Sequence, residues 1–174
     1  ILYADTMLNY PDFRAYEQAF TMMSQVSGRA GRKGKRGLVI LQTKSAELPV
    51  IGQVVRNDCE GFYKDLLEER RDFRYPPFFH LIYIYMKHRD DRVVNTAAIE
   101  MGSRLRYFFG ERVLGPDKPA VARVKQMNIR KIVLKLENGL DRKKTRECLR
   151  QVQKELLQDS RYGALQVYYD VDPL

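Results

Sequence analysis

An octapeptide of glutamine, glycine and arginine is the segment of this sequence best suited to chemistry. Residues 25–32 have the pattern Q-x-x-G-R-x-G-R, whose fixed positions are Gln25, Gly28, Arg29, Gly31 and Arg32. Glycine permits a tight turn, and two arginines three residues apart on such a turn suit bidentate binding of a phosphate. The alternative is a plain basic turn between a helix and a strand, because short patterns of this kind recur by chance.

A second group of cations lies in the C-terminal half. Residues 101–150 carry 14 Lys and Arg against 5 Asp and Glu, and the whole 174-residue chain has a net charge of +9. A clustered basic surface is typical of proteins that bind a polyanion such as nucleic acid, and a solvated face without a partner is the alternative. The candidate DNA contacts are Arg104, Arg123, Lys125, Arg130, Lys131, Arg142 and Arg146.

Two aromatic groups near these cations are candidates for base stacking. Tyr107, Phe108 and Phe109 occur at helical spacing, which is more typical of a core than of a stacking surface. Tyr83 and Tyr85 share one face of a predicted strand, and the same two interpretations stay open for them.

The other residues with reactive side chains exclude several kinds of site. Cys59 and Cys148 lie far apart, so neither a disulfide-dense scaffold nor a four-cysteine zinc site is expected. His80 and His88 are interpreted as structural or surface residues, because two histidines do not make a metal site. The sequence has no G-x-x-x-x-G-K-[ST] phosphate loop and no Asp-Glu pair after a strand. We therefore expect no ATP hydrolysis by this chain alone.

The composition favours a globular protein. Apolar residues make up 44% of the chain and charged residues 30%, so a packed core is expected. No apolar run has the length of a transmembrane helix, and the first residues lack the features of a signal peptide. Because the chain begins at Ile1 inside a predicted strand, we expect it to be a piece of a longer protein.

The elements that must position the octapeptide form a predicted first unit, in which a helix carries Gln25 near its end. In chain order the pattern predicts a buried strand from Ile1 to Ala4, a helix from Asp12 to about Ser27, a turn over residues 28–37, a strand from Leu38 to Gln42, and helices over residues 50–57 and 60–71. Pro76 and Pro77 then end the helical pattern.

A second unit with the element order β-α-β-β-β-α-β is predicted from Phe78 onward. Its elements are a strand over residues 80–87, an amphipathic helix over 94–108, a short apolar stretch before a turn at Gly115 and Pro116, a hairpin of residues 120–125 and 130–136, a helix from Asp141 to about Leu157, and a strand over 165–169. The expected fold class is α/β, of the α+β kind.

The octapeptide resembles motif VI of superfamily 2 helicases, which faces a nucleotide bound between two RecA-like lobes. Further segments resemble one family among these helicases, the PriA family of bacterial replication-restart helicases, and the resemblance runs from Ile1 to Leu174. The segments that carry it are Asp12-Phe13-Arg14, Glu17, Glu69-Arg70-Arg71, Tyr75-Pro76-Pro77-Phe78, Gly115-Pro116, Pro119-Ala120, Arg123, Arg130 and Asp170-Val171-Asp172-Pro173.

The resemblance implies a domain organisation and a nucleotide site. Residues 1–57 would be the C-terminal part of the second RecA-like helicase lobe, residues 58–77 a helical linker, and residues 78–174 a C-terminal domain that binds DNA and partner proteins. Gln25, Gly28, Arg29 and Arg32 would contact ATP, with Arg29 and Arg32 as catalytic residues. ATP and magnesium would be cofactors of the parent enzyme, whose phosphate loop and zinc-binding cysteines are implied to lie upstream of Ile1.

The resemblance also implies an activity and partners. The parent would be an ATP-dependent 3′–5′ DNA helicase that restarts replication and assembles the primosome at stalled forks, in the cytoplasm and nucleoid of a bacterium. Its partners would be forked or single-stranded DNA, the acidic tail of single-stranded DNA-binding protein, and other primosome proteins, with no membrane. The alternative function is a non-enzymatic basic α+β module that binds RNA or protein. The octapeptide discriminates the two, because a plain binding module has no use for it.

Overall fold

The structure, a computed structural model, describes residues 4–29 and 38–173 and divides the chain into two compact units. The first unit ends at Asp72 and the second begins at Phe73. Helices and a five-stranded antiparallel sheet together make the fold α+β, which confirms the predicted class.

The described part of the first unit is helical. Its elements are α1 (Ala4–Leu8), α2 (Ala15–Arg29), α3 (Pro49–Arg56) and α4 (Cys59–Asp72). Their apolar faces form one core, at whose centre the rings of Phe20 and Phe62 stack with centroids 4.0 Å apart. Asn57 ends α3 in the left-handed conformation, and Asp58 then accepts a hydrogen bond from the Gly61 amide at the start of α4.

Helix α4 belongs to the first unit rather than to a separate linker. Phe62 and Leu66 are buried in the core of that unit. Arg70 donates to Glu17 of α2 at 2.6 Å. The predicted linker, residues 58–77, therefore overlaps a helix that packs as part of the first unit, and the division lies after Asp72.

Two predictions for the first unit were wrong. Ala4, expected to end a strand, is instead the first residue of α1, and residues 1–3 lie outside the described residues. The segment from Leu38 to Gln42 forms no strand, because among the described residues no strand lies beside it, and Leu38 and Ile40 are exposed. Gln42 makes one backbone contact there, accepting from the Ala4 amide. Of the predicted turn, Gly28 and Arg29 belong to α2, and residues 30–37 lie outside the described residues.

The second unit has the predicted order of strands and helices. Its elements are β1 (Phe79–His88), α5 (Asp91–Phe109), β2 (Val113–Asp117), β3 (Arg123–Val124), β4 (Met127–Glu137), α6 (Arg142–Leu157) and β5 (Gln166–Val171). The strand order is β2-β4-β1-β5, and β3 pairs with β4. Strand β1 pairs with β4 along its length, from Phe79 opposite Glu137 to His88 opposite Asn128.

Both helices of the second unit pack on one face of the sheet. Because side chains alternate along a strand, Ile82, Ile84 and Met86 of β1 point to the same face and are buried against α5 and α6. Asp90 and Asp141 cap these helices, each accepting hydrogen bonds from two backbone amides of the first turn. In the described residues, no helix is long and apolar enough to span a membrane.

Candidate functional site

The described part of the octapeptide lies on the last turns of α2. Gln25 and Arg29 are four residues apart, so they share one side of the helix, and both are exposed. Arg29 is at the C-terminal end, where the helix dipole favours a cation. Of residues 4–29 and 38–173, none has an atom within 4 Å of the point where a Cβ on Gly28 would lie. Arg32 lies outside the described residues.

The seven candidate DNA contacts do not form one patch. Arg104 is on α5 and lies 3.6 Å from Glu155 of α6. Lys131 is on the face of the sheet opposite the helices. The other five occupy a strand buried against α5 (Arg130), the β3–β4 hairpin (Arg123 and Lys125), and helix α6 (Arg142 and Arg146).

Arg130 has a place inside the fold rather than on its surface. Its side chain is 5% exposed, and its guanidinium donates to Asp91 at 2.8 Å and to Asn95 at 3.1 Å, both on α5. It has the same strand parity as Ile132, whose side chain belongs to the core. Its interpretation as a DNA contact is corrected on this ground: a phosphate cannot reach the group without displacing α5.

The β3–β4 hairpin presents two exposed cations. Lys125 and Gln126 form its two-residue turn and have φ angles of 47° and 63°. Positive φ at both central residues is the hairpin geometry that follows the twist of the strands. Arg123 and Lys125 are exposed, and among residues 4–29 and 38–173 no acidic side chain forms an ion pair with either. The hairpin is thus a projecting cationic tip.

A groove beside α6, here called the α6 groove, has a volume of about 530 Å³. Its apolar residues include Ile82, Leu136 and Leu149. Arg142, Arg146 and Arg150 also line it and follow one another at four-residue steps on α6. At its end, His80 Nδ1 lies 2.8 Å from Asp172 Oδ2, and Arg142 Nη2 lies 2.9 Å from His80 Nε2.

The opposite face of the sheet, here called the open sheet face, carries three tyrosines. Tyr85 of β1 and Tyr168 of β5 are paired in register, and their rings stack with centroids 4.9 Å apart at 14°. Tyr83 meets Tyr85 edge to face at 6.2 Å. Sequence analysis missed Tyr168, because its place beside Tyr85 depends on the strand register.

The remaining aromatic and histidine candidates do not form a site in the described residues. Tyr107 and Phe108 are 86% and 52% exposed, so the interpretation of these two as core residues was wrong, whereas Phe109 packs against the core. His88 Nδ1 accepts from the Asp90 amide at 2.9 Å. Within the described segments, no three His, Cys, Asp or Glu side chains come together as metal ligands would.

Known proteins that resemble this chain belong to one group of replication proteins. The sequence profile described as primosomal protein N C-terminal domain matches residues 71–174. The chain is 36% identical over 174 residues to the replication restart protein PriA of Treponema pallidum, covering 98% of this chain and 25% of that protein. It is 36% identical over 127 residues to the Bacillus subtilis protein of the same name, covering 72% of this chain and 16% of that one. The chain thus spans a quarter or less of the length of these relatives.

Proposed function

Because the chain belongs to the PriA family of replication restart proteins, we propose that it is the C-terminal part of an ATP-dependent 3′–5′ DNA helicase. The parent acts at stalled forks in the bacterial cytoplasm, where it assembles the primosome. The observation that carries the proposal is the relationship along 98% of this chain to a replication restart protein.

The first unit supplies the end of the second RecA-like lobe. In the parent enzyme Gln25, Gly28, Arg29 and Arg32 contact ATP, as the family resemblance implies. Two features support this role: Gln25 and Arg29 share an exposed side of α2, and the space around Gly28 admits close approach of a ligand. A guanidinium directed at the γ-phosphate stabilises the charge that spreads over the transferring group.

The second unit supplies DNA contacts through the β3–β4 hairpin. Arg123 and Lys125 are exposed at its tip, where phosphates can approach both. Contacts of this kind position the protein on DNA without reading its sequence, which suits an enzyme that acts wherever a fork stalls.

The α6 groove fits the acidic tail of single-stranded DNA-binding protein. An acidic peptide needs cations for its carboxylates, and the nonpolar atoms of a bound peptide pack best on an apolar floor. The groove offers both, in Arg146 and Arg150 along α6 and in Ile82 and Leu149 below them. Charge complementarity therefore favours this occupant.

A peptide-binding assay tests the assignment of the α6 groove. The double variant Arg146→Glu, Arg150→Glu should not bind an acidic tail peptide, as measured by fluorescence polarisation. The control is Lys154→Glu, which is on the same helix but outside the groove lining. Equal binding by the two variants would contradict this assignment.

A salt series tests the DNA-binding part of the proposal. The double variant Arg123→Glu, Lys125→Glu should reduce affinity for forked DNA and flatten the log–log salt slope by about 1.4 to 1.8, since each lost phosphate contact contributes about 0.7 to 0.9. The matched control is Lys64→Glu with Lys154→Glu, which makes the same change in charge at exposed positions elsewhere. An unchanged slope in the hairpin variant would show that these cations do not contact DNA.

Turnover by the full-length parent tests the nucleotide role. Arg32→Ala should lower kcat with saturating DNA by about 10³- to 10⁵-fold, as expected for a lost arginine finger, while DNA affinity stays the same. Lys33→Ala is the matched control, because it removes a neighbouring charge outside the motif positions. Near-normal turnover in the Arg32 variant would instead contradict the nucleotide role of Arg32 and leave it as one more solvated charge in a basic turn.

A further inference from the structure

We propose that the open sheet face binds single-stranded nucleic acid by stacking bases on Tyr83, Tyr85 and Tyr168. This inference rests on the proposed function, since it assigns a second DNA site to the same unit. The site is separate from the β3–β4 hairpin and differs from it in chemistry, because stacking on rings is added to contact with phosphates.

Register places the three rings side by side. Tyr83 and Tyr85 are two residues apart on β1, so both point away from the helices. Tyr168 lies directly opposite Tyr85 on the neighbouring strand, and the two rings are nearly parallel. The result is a row of rings across β1 and the edge strand β5.

The burial of this face differs from that of the helical face. Ile84 and Met86, on the helical side, are fully buried, whereas Tyr83 and Tyr85 are half-buried and Tyr168 is 39% exposed. Both helices of the unit already pack on the other side. Neither helix of the second unit therefore covers the tyrosines, although Leu81 and Ile129 on the same face are buried.

Cations accompany the rings. The Lys131 ammonium lies 4.5 Å from the centroid of the Tyr83 ring, and the Lys87 ammonium lies 4.5 Å from that of Tyr168. Neither lysine is within ion-pair distance of an acidic side chain in the described part of the chain. Because each ammonium lies over a ring, a base that stacks there displaces it, and the flexible lysine can then pair with the phosphate of the same nucleotide. Asp170 lies opposite Tyr83 in register. Because a carboxylate repels phosphate, we expect the phosphates of the ligand to lie away from Asp170.

The hydroxyl of Tyr85 is harder to ionise than that of a free tyrosine. Burial raises the pKa of Tyr85, and the neighbouring Tyr168 and Asp170 raise it further. Tyr85 therefore carries no negative charge that would repel phosphates at neutral pH. Every base offers a π-face, so the rings accept any sequence, as a single strand displaced at a fork requires. In duplex DNA those faces are already stacked on each other, which favours single strands over duplex.

Binding of labelled oligo(dT) and of a duplex to the full chain tests the inference. Tyr85→Leu with Tyr168→Leu should weaken oligo(dT) binding roughly 10- to 100-fold, since stacking contributes about 1–3 kcal/mol per base. The salt slope should stay the same, because no charge is removed, and duplex binding should not change. Tyr107→Leu with Phe108→Leu is the matched control, since it removes two exposed rings on α5.

Further variants and outcomes keep the result decisive. Tyr85→Phe with Tyr168→Phe retains the rings and should bind oligo(dT) as tightly as the unsubstituted chain does. This comparison remains available if the leucine variant fails to fold. Loss of binding in the phenylalanine variant, unchanged binding in a folded leucine variant, or a change of oligomeric state in place of a loss of affinity would each overturn the inference. If a folded leucine variant binds normally, or if it changes its oligomeric state, the hairpin variant Arg123→Glu, Lys125→Glu still tests the proposed function independently. If neither the leucine variant nor the hairpin variant altered DNA binding, both the stacking site and the proposed DNA contacts of the hairpin would be rejected.

Discussion

Replacing Arg130 with methionine should destabilise the second unit and leave DNA affinity unchanged. The guanidinium donates to Asp91, to Asn95 and to the Ile129 carbonyl, all within 3.1 Å. Hydrogen bonds that involve a charged group contribute about 1.5–3 kcal/mol. Methionine keeps most of the buried hydrocarbon stem, so the loss is mainly polar.

The exposure of Asp91 limits the size of the effect. Removing one partner of a fully buried pair costs about 3–5 kcal/mol, because the other charge is left without water. The Asp91 side chain is 55% exposed and stays solvated, and its place in the first turn of α5 still favours its negative charge. We therefore expect a loss of about 2 kcal/mol, equivalent to a decrease in Tm of about 8–16 °C for a unit of this size.

Urea unfolding of the full chain, followed by circular dichroism, measures the change. Two transitions are expected because the two units have separate cores, and only that of the second unit should shift. Arg123→Met is the control, since the residue is exposed and its loss should change stability by less than about 0.5 kcal/mol. A stability change below 0.5 kcal/mol for Arg130→Met, together with weaker DNA binding, would refute the structural role.

Three other substitutions have defined outcomes. Gly115→Ala should lower Tm more than Gly139→Ala, because both glycines have positive φ but only at Gly115 would a Cβ lie 2.9 Å from a backbone oxygen. Burial raises the pKa of Tyr169 to about 12, so its contribution to stability is complete below pH 10 and lost as the pH rises toward 12; Tyr169→Phe should flatten the stability profile over that range. Asp172→Ala should speed hydrogen exchange of the Leu81 amide, which donates to the Asp172 carboxylate at 2.9 Å, whereas Asp172→Asn should preserve its protection.

The elements that could be predicted are those with a strong periodic pattern. Helix α5 has apolar residues at three- and four-residue steps, α6 has a capping Asp141, and β1 has a long alternating apolar run, and all three lie where the pattern placed them. The segment from Leu38 to Gln42 is equally apolar but forms no strand. Strand propensity describes a segment, whereas a strand also requires a partner beside it.

The candidate site was harder to predict because proximity in sequence did not become proximity in space. The seven cations lie within 43 positions of one another, between Arg104 and Arg146, and the fold distributes them over several surfaces. One signal was available: Arg130 alternates in phase with Ile132 and Leu134, which already placed it on the buried side of a strand. Tyr168 had no such signal, since its neighbour is fixed by pairing between distant strands.

The central position of β1 has a consequence for folding. Its middle segment, Leu81–Met86, is six residues long, uncharged, free of proline and rich in β-branched and aromatic side chains, as are segments prone to aggregation. Both of its edges are paired only by strands that come much later in the chain, β4 and β5. Until those strands dock, the segment is a template for pairing with other chains. Lys87 and Arg89 lie just after this segment in the sequence, and their positive charges oppose its pairing with other chains.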